Sequence, residues 1–155
     1  MMVWRGGGRG QSLVEFALTL PIAMALLMGV IDLGFVLHAH VQVAGACYEG
    51  ARRGSLFPGN LNDLYTQNDS ARLDVVKASV QGAMGLLDIS NPQNFDVSSD
   101  VKITYYPTVP TDSSTRTGDE MVVTVSYRQP VWFNLLSGLS NSRLQVTSST
   151  RVRIQ

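Results

Sequence analysis

The sequence predicts an α+β protein: a long N-terminal transmembrane helix, then a small module of one helix packed on an antiparallel sheet of about three strands. Three observations carry this. Residues 16–31 form an uncharged apolar run whose only polar side chain is Thr19. Residues 72–87 place Leu73, Val76, Val80, Ala83, Met84 and Leu87 at helical spacing. Three later stretches alternate apolar and polar residues with period two.

The totals set bounds first. The chain has 155 residues, enough for one domain and an appendage, and its charges balance at 12 basic and 12 acidic. No basic footprint calls for nucleic acid, and no block of like charge implies a tail partner. The single cysteine, Cys47, excludes an internal disulfide. It reads as a small buried apolar residue, with a crosslink between chains as the alternative.

The apolar run extends back through Leu13 and Val14, and forward past Asp32 through residues 33–37. A span needs about 20 mostly apolar residues. A secretory signal peptide would have a shorter apolar stretch followed by a small-residue cleavage site. Here a helical pattern continues directly out of the run, which favours a retained membrane helix. Arg5 and Arg9 precede it and predict a cytoplasmic N-terminus by the positive-inside bias. Arg52 and Arg53 lie at the limit of where that bias counts. Pro21 lacks a backbone donor and predicts a kink.

Beyond Asp32 the pattern becomes amphipathic. Leu33, Val36, Leu37, Val41, Ala44 and Tyr48 share one face, and His38, Gln42, Gly45 and Glu49 share another. The predicted helix covers residues 11–53, or ~65 Å at ~1.5 Å per residue. A hydrocarbon core of ~30 Å takes up only half of that. The small residues Ala39, Ala44, Gly45, Ala46, Gly50 and Ala51 permit close approach by another helix or a sheet.

Residues 54–70 read as a linker, with Pro58-Gly59 as a turn. Asp69 or Ser70 is the expected N-cap of the second helix. Asn91-Pro92 marks a turn after it. The strands are expected at 97–106, 121–128 and 144–154. Val101, Ile103 and Tyr105 face inward on the first, and Met121, Val123, Val125 and Tyr127 on the second. Leu144, Val146, Val152 and Ile154 face inward on the third. Residues 107–119 form a long polar connection, either a mobile hairpin loop or a contact tip. Residues 130–139 carry Val131, Trp132, Phe133, Leu135 and Leu136. They suit the membrane surface, a neighbouring subunit or the domain's own core.

Enzyme readings find little support. His38 and His40 are two apart on a helix and point to different faces, so no metal site is expected. No histidine lies in the soluble half, which removes a Ser-His-Asp arrangement there. Gly6-Gly7-Gly8 lacks the following Gly-Lys-Ser/Thr of a phosphate loop. The chain reads as no enzyme, with no cofactor and no small-molecule substrate.

Two motifs resemble the TadE-like family of the Flp (tight-adherence) pilus systems, relatives of type IV pilins. The first is Gly10 followed by Gln11-Ser12-Leu13-Val14-Glu15-Phe16, with Pro21 shortly after. The second is Gln42-Val43-Ala44 and then Ala46-Cys47-Tyr48-Glu49-Gly50-Ala51-Arg52. The resemblance implies a pilin-like α+β fold and a division into a leader at 1–10, a transmembrane and assembly helix at 11–53, and a soluble domain at 54–155. It implies cleavage between Gly10 and Gln11 by a prepilin peptidase. Glu15, Phe16 and Pro21 would serve assembly, and Glu49, Gly50, Ala51 and Arg52 would form a helix-end signature. The implied partners are that peptidase, other pilin or pseudopilin subunits, the Tad assembly platform and the membrane. The implied location is the bacterial cytoplasmic membrane, single-pass, with the C-terminal domain outside the cytoplasm or on a surface pilus. A minor subunit is expected; a major filament subunit, a type II secretion pseudopilin and an uncleaved anchored sensor module stay open.

Overall fold

The computed structural model describes residues 8–60, 63–85, 87, 89–109, 116–131 and 143–155. The element order is α1 (Gly8–Ser55), α2 (Tyr65–Ala83), α3 (Val97–Asp100), β1 (Val101–Tyr106), β2 (Glu120–Pro130) and β3 (Arg143–Arg153). The three strands form one antiparallel sheet in the order β1-β2-β3. This is the α+β arrangement read from the sequence.

α1 has 48 residues, longer at both ends than the 11–53 expected, and Pro21 lies inside it without ending it. Its first half is bare. Leu13, Phe16, Leu18, Ile22 and Leu26 are all exposed, and they point around the whole helix. Its second half lies across the sheet and against α2. Ala39, Val43, Ala46, Cys47 and Ala51 are completely buried there.

That contact face is the small-residue one expected to permit close approach: Ala39, Ala46, Gly50 and Ala51 are buried there, with Val43. Of the larger residues read on another face, Leu33, Leu37, Val41 and Tyr48 are exposed, Leu37 at 59%. The cause is steric. Each large side chain holds a helix axis farther from its neighbour, and this helix sits close. A Cβ built on Gly50 would stand 2.6 Å from Val80 Cγ2. One on Gly54 would stand 2.6 Å from Val76 Cγ2 and 2.8 Å from Met121 Cε. Neither joint admits even an alanine without displacement.

α2 starts at Tyr65, well before the position expected, and so absorbs part of the predicted linker. Its N-cap is Leu64, which makes no side-chain cap. Asp69 and Ser70 therefore lie within the helix. The Asn68 side chain explains the early start. It accepts from Asn60 N at 2.7 Å and donates to Asn60 O at 2.9 Å, tying the preceding turn to the first helical turn. The helix ends where Gly85 adopts φ +61°, the left-handed conformation that glycine takes without a Cβ penalty. Val76, Val80 and Met84 are buried as the periodicity required, whereas Leu73 is half-buried and Arg72 takes a core position.

The first strand is also shorter than expected. Residues 97–100 form a turn of helix, because Asp96 caps Ser98 N at 2.9 Å and Asp100 accepts from Asp96 N at 2.8 Å. Extended backbone begins at Val101, and the inward sets on all three strands are those given by the alternation. Arg128 then clamps this corner to β2 with a two-pronged bond to Asp100, both arms 2.9 Å. Cys47 sits deep between α1 and the sheet, its thiol donating to Val123 O at 3.2 Å. The far end is closed by Gln155 N donating to Ser55 O at 3.1 Å. The apolar 132–139 stretch lies outside the described residues.

Candidate processing and assembly helix

The residues singled out in the sequence fall into two groups, both on α1. Gly10 and Gln11 are exposed and helical, and the space a Gly10 Cβ would enter is empty within 4 Å. Glu15 is exposed one turn later, and its Oε1 accepts from Gln11 Nε2 at 3.1 Å. Among the described residues no cation pairs with it. Phe16, 61% exposed, and Pro21 follow on the bare helix. A carboxylate is thus placed at the edge of an apolar rod with a neutral amide hydrogen-bonded to it.

The second group stands some 34 residues on, ~50 Å along the helix. Gly50 is a point of close approach to α2, and Ala51 is buried beside it. Glu49 and Arg52 lie on the rim. Glu49 Oε1 meets Arg53 Nε at 2.7 Å, and its other oxygen lies 3.7 Å from Arg52 Nη1. The Arg53 hydrogen bond holds the Glu49 carboxyl below its ordinary range. This group therefore works as a joint between helices, and α1 keeps it far from the Gly10–Glu15 group.

One cluster escaped the sequence reading. Arg116, 4% exposed, donates from Nε to Asp69 at 2.9 and 2.7 Å, from Nη1 to Pro107 O at 3.0 Å and from Nη2 to Thr108 O at 2.9 Å. Its guanidinium stacks 4.2 Å from the Tyr105 ring centre and 5.5 Å from that of Tyr65. Burial pushes the Tyr105 phenol above its usual value, and the Asp69 charge adds to the shift. Both ends of the 107–119 connection are thereby pinned to α2, while residues 110–115 lie outside the described residues. The only sequence signal was a lone arginine in a Thr/Ser/Asp stretch. Arg72, also buried, approaches Asp69 at 3.4 Å and lies over the Phe57 ring at 5.6 Å. His38 and His40 are both exposed on α1. Among the described residues no three His, Cys, Asp or Glu side chains gather in a way that could hold a metal.

The chemistry of this surface is that of packing and pairing along one helix. Comparison with known families places that helix. Residues 10–52 match the model of the TadE-like protein family. The TadE-like stretch begins at Gly10 and ends at Arg52, so it contains both groups and the whole bare segment between them. It stops just short of Gly54, although Gly54 makes the tighter joint. No curated protein and no solved structure matches the chain. The TadE-like match and a helix apolar enough to cross a membrane together fit membrane anchoring.

Proposed function

We propose that the protein is a minor pilin or pseudopilin of a Flp/Tad-type pilus, cut by prepilin peptidase after Gly10 and assembled through α1. The observation that carries this reading is the carboxylate of Glu15 at the start of a bare apolar helix, paired with no cation among the described residues. A charge inserted into the bilayer core costs roughly 2.5–3.5 kcal/mol on insertion scales. Cleavage after Gly10 creates a cationic amine at Gln11. The amine of one subunit then neutralises the Glu15 of its neighbour, which offsets the burial of both and sets the register between helices. The soluble module sits outside the cytoplasm, and its partners are the peptidase, other pilin-like subunits and the Tad assembly platform. Roles as processing site (Gly10, Gln11) and assembly determinants (Glu15, Phe16, Pro21) follow from this reading. The small-residue joint at Gly50 and Ala51 supports it by fixing the module rigidly on the helix end.

The test is Glu15→Ala in the native host. Membrane insertion should persist, and incorporation into pili should fall at least tenfold. Normal piliation with normal protein levels contradicts the proposal. A membrane-impermeant reporter placed in the 107–119 connection checks the orientation and should label intact cells once any outer envelope is opened.

A further inference from the structure

Asp32 interrupts the apolar stretch of α1 in the sequence, yet it does not interrupt the surface of the helix. It is 4% exposed, while Ile31 and Leu33 on either side of it are exposed. With Asp32 turned inward, the exposed surface of α1 is apolar from Phe16 to Leu37 apart from Thr19. Exposed polar side chains resume at His38 and His40. Residues 16–37 cover ~33 Å at ~1.5 Å per residue, close to the ~30 Å of a hydrocarbon core. α1 is unbroken from Gly8 to Ser55, so whatever is fixed to its later turns stands at a set height above that apolar rod.

The module begins on the last turn of the rod. Val36 packs partly against its core, and Ala39, ~3 Å past Leu37, is completely buried. The near end of the module is fixed by contacts from two sides. Gly85, just past α2, stands against Gln42, whose Oε1 lies 3.0 Å from where a Gly85 Cβ would be. Arg143 at the start of β3 donates to Gln93 Oε1, and Arg128 N near the end of β2 donates to Asn94 O at 2.8 Å. These strand ends lie opposite the end where Gln155 meets Ser55. Ser90, Pro92 and Gln93 are exposed at the near end. A bilayer is ~40–45 Å thick with its headgroups, which leaves roughly 5–8 Å for each headgroup layer. The first buried turn of α1 therefore falls inside that layer. The sequence leaving β2 here reads Val131-Trp132-Phe133, and tryptophan concentrates at membrane–water interfaces.

We propose that the near end of the module, with Ser90, Pro92 and Gln93 at its tip, is a lipid-contacting surface that rests on the headgroups of the leaflet from which α1 emerges. The module then lies on the bilayer rather than standing clear of it on a stalk. Its far end, with Leu64 before α2 and Gln155 after β3, points away from the membrane. The proposal rests on α1 crossing a membrane and needs neither cleavage nor pilus assembly.

The test is a depth measurement on the full chain in vesicles of phosphatidylethanolamine and phosphatidylglycerol, with a gadolinium chelate on a fraction of the headgroups. Single nitroxide labels are placed on Pro92→Cys, Leu64→Cys and Ile22→Cys chains. Cys47 is completely buried and stays in place, and the parent chain reports any label it takes. The gadolinium lipid should relax the Pro92 label at least fivefold faster than the Leu64 label. The Ile22 label should be reached by oxygen and not by a water-soluble nickel chelate. Equal relaxation at positions 92 and 64, with the Ile22 label in hydrocarbon, overturns the proposal and leaves the membrane-spanning reading intact. An Ile22 label open to the nickel chelate overturns both. If Pro92→Cys disturbs its turn, Gln93→Cys gives the same comparison with the same two outcomes.

Discussion

The two halves of α1 are both apolar and behave oppositely. The first half carries large exposed side chains all round, whereas the second buries alanine, valine, cysteine and glycine and leaves its leucines outside. Hydrophobicity alone ranks these faces in the wrong order. The deciding quantity is how near a neighbour can come. Contact across the small face brings α1 within van der Waals range of Val76, Val80 and Met121, and close packing over many atoms outweighs the larger transfer energy of a few leucines. The leucine face is left for a different environment, as is the whole first half.

The sharpest way to break this comparison is to enlarge the joint. Gly50→Leu with Gly54→Leu should destabilise the module by more than about 3 kcal/mol, the upper end of overpacking effects. Hydrogen exchange at β2 amides in the full chain would report it. Little change would mean that α1 and α2 are not in the close contact described. Arg116→Ala should come next, costing about 3 kcal/mol by leaving Asp69 only its longer contact with Arg72 and by stranding two carbonyls, with Arg116→Lys intermediate because lysine lacks the fork. A urea midpoint within error of the parent would show that the pin is dispensable. Truncating the other face, by Leu37→Ala or Val41→Ala, should shift module stability by no more than about 0.5 kcal/mol in micelles. A large loss would mean that this face is covered within the chain.

The smallest expected effect concerns pH. Hydrogen bonds from Ser98 hold the Asp96 carboxyl below its ordinary value, so the folded pKa lies under the unfolded one. Its contribution is complete above the ordinary carboxylate range and is lost as pH falls through the depressed folded value. A carboxyl titration by NMR should place Asp96 below 3.8, and Ser98→Ala should move it back toward that value. No movement would remove the cap as the cause.

Much of the fold was legible because period-two and period-3.6 patterns report burial directly. All three strands kept their predicted faces, and the second helix kept its Val76–Val80 core. The packing face of α1 was legible in its small residues, Ala39, Ala46, Gly50 and Ala51. The misses have local causes. The start of α2 was misplaced because Asn68 acts across eight residues on Asn60, and Asp69 serves Arg116 rather than a cap. The turn of helix at 97–100 depended on two aspartates bonding locally in preference to the strand ladder. Of the candidate site, Gly50 acquires a steric reason only in three dimensions, since its requirement comes from Val80 in another element.

The central claim concerns Gly10 and Glu15, and a single mass measurement tests it most directly. The N-terminal peptide of the protein purified from its native membrane should begin at Gln11 and carry an added methyl group on its amine. A chain still holding residues 1–10 would contradict processing and leave Glu15 without the amine it is proposed to pair with.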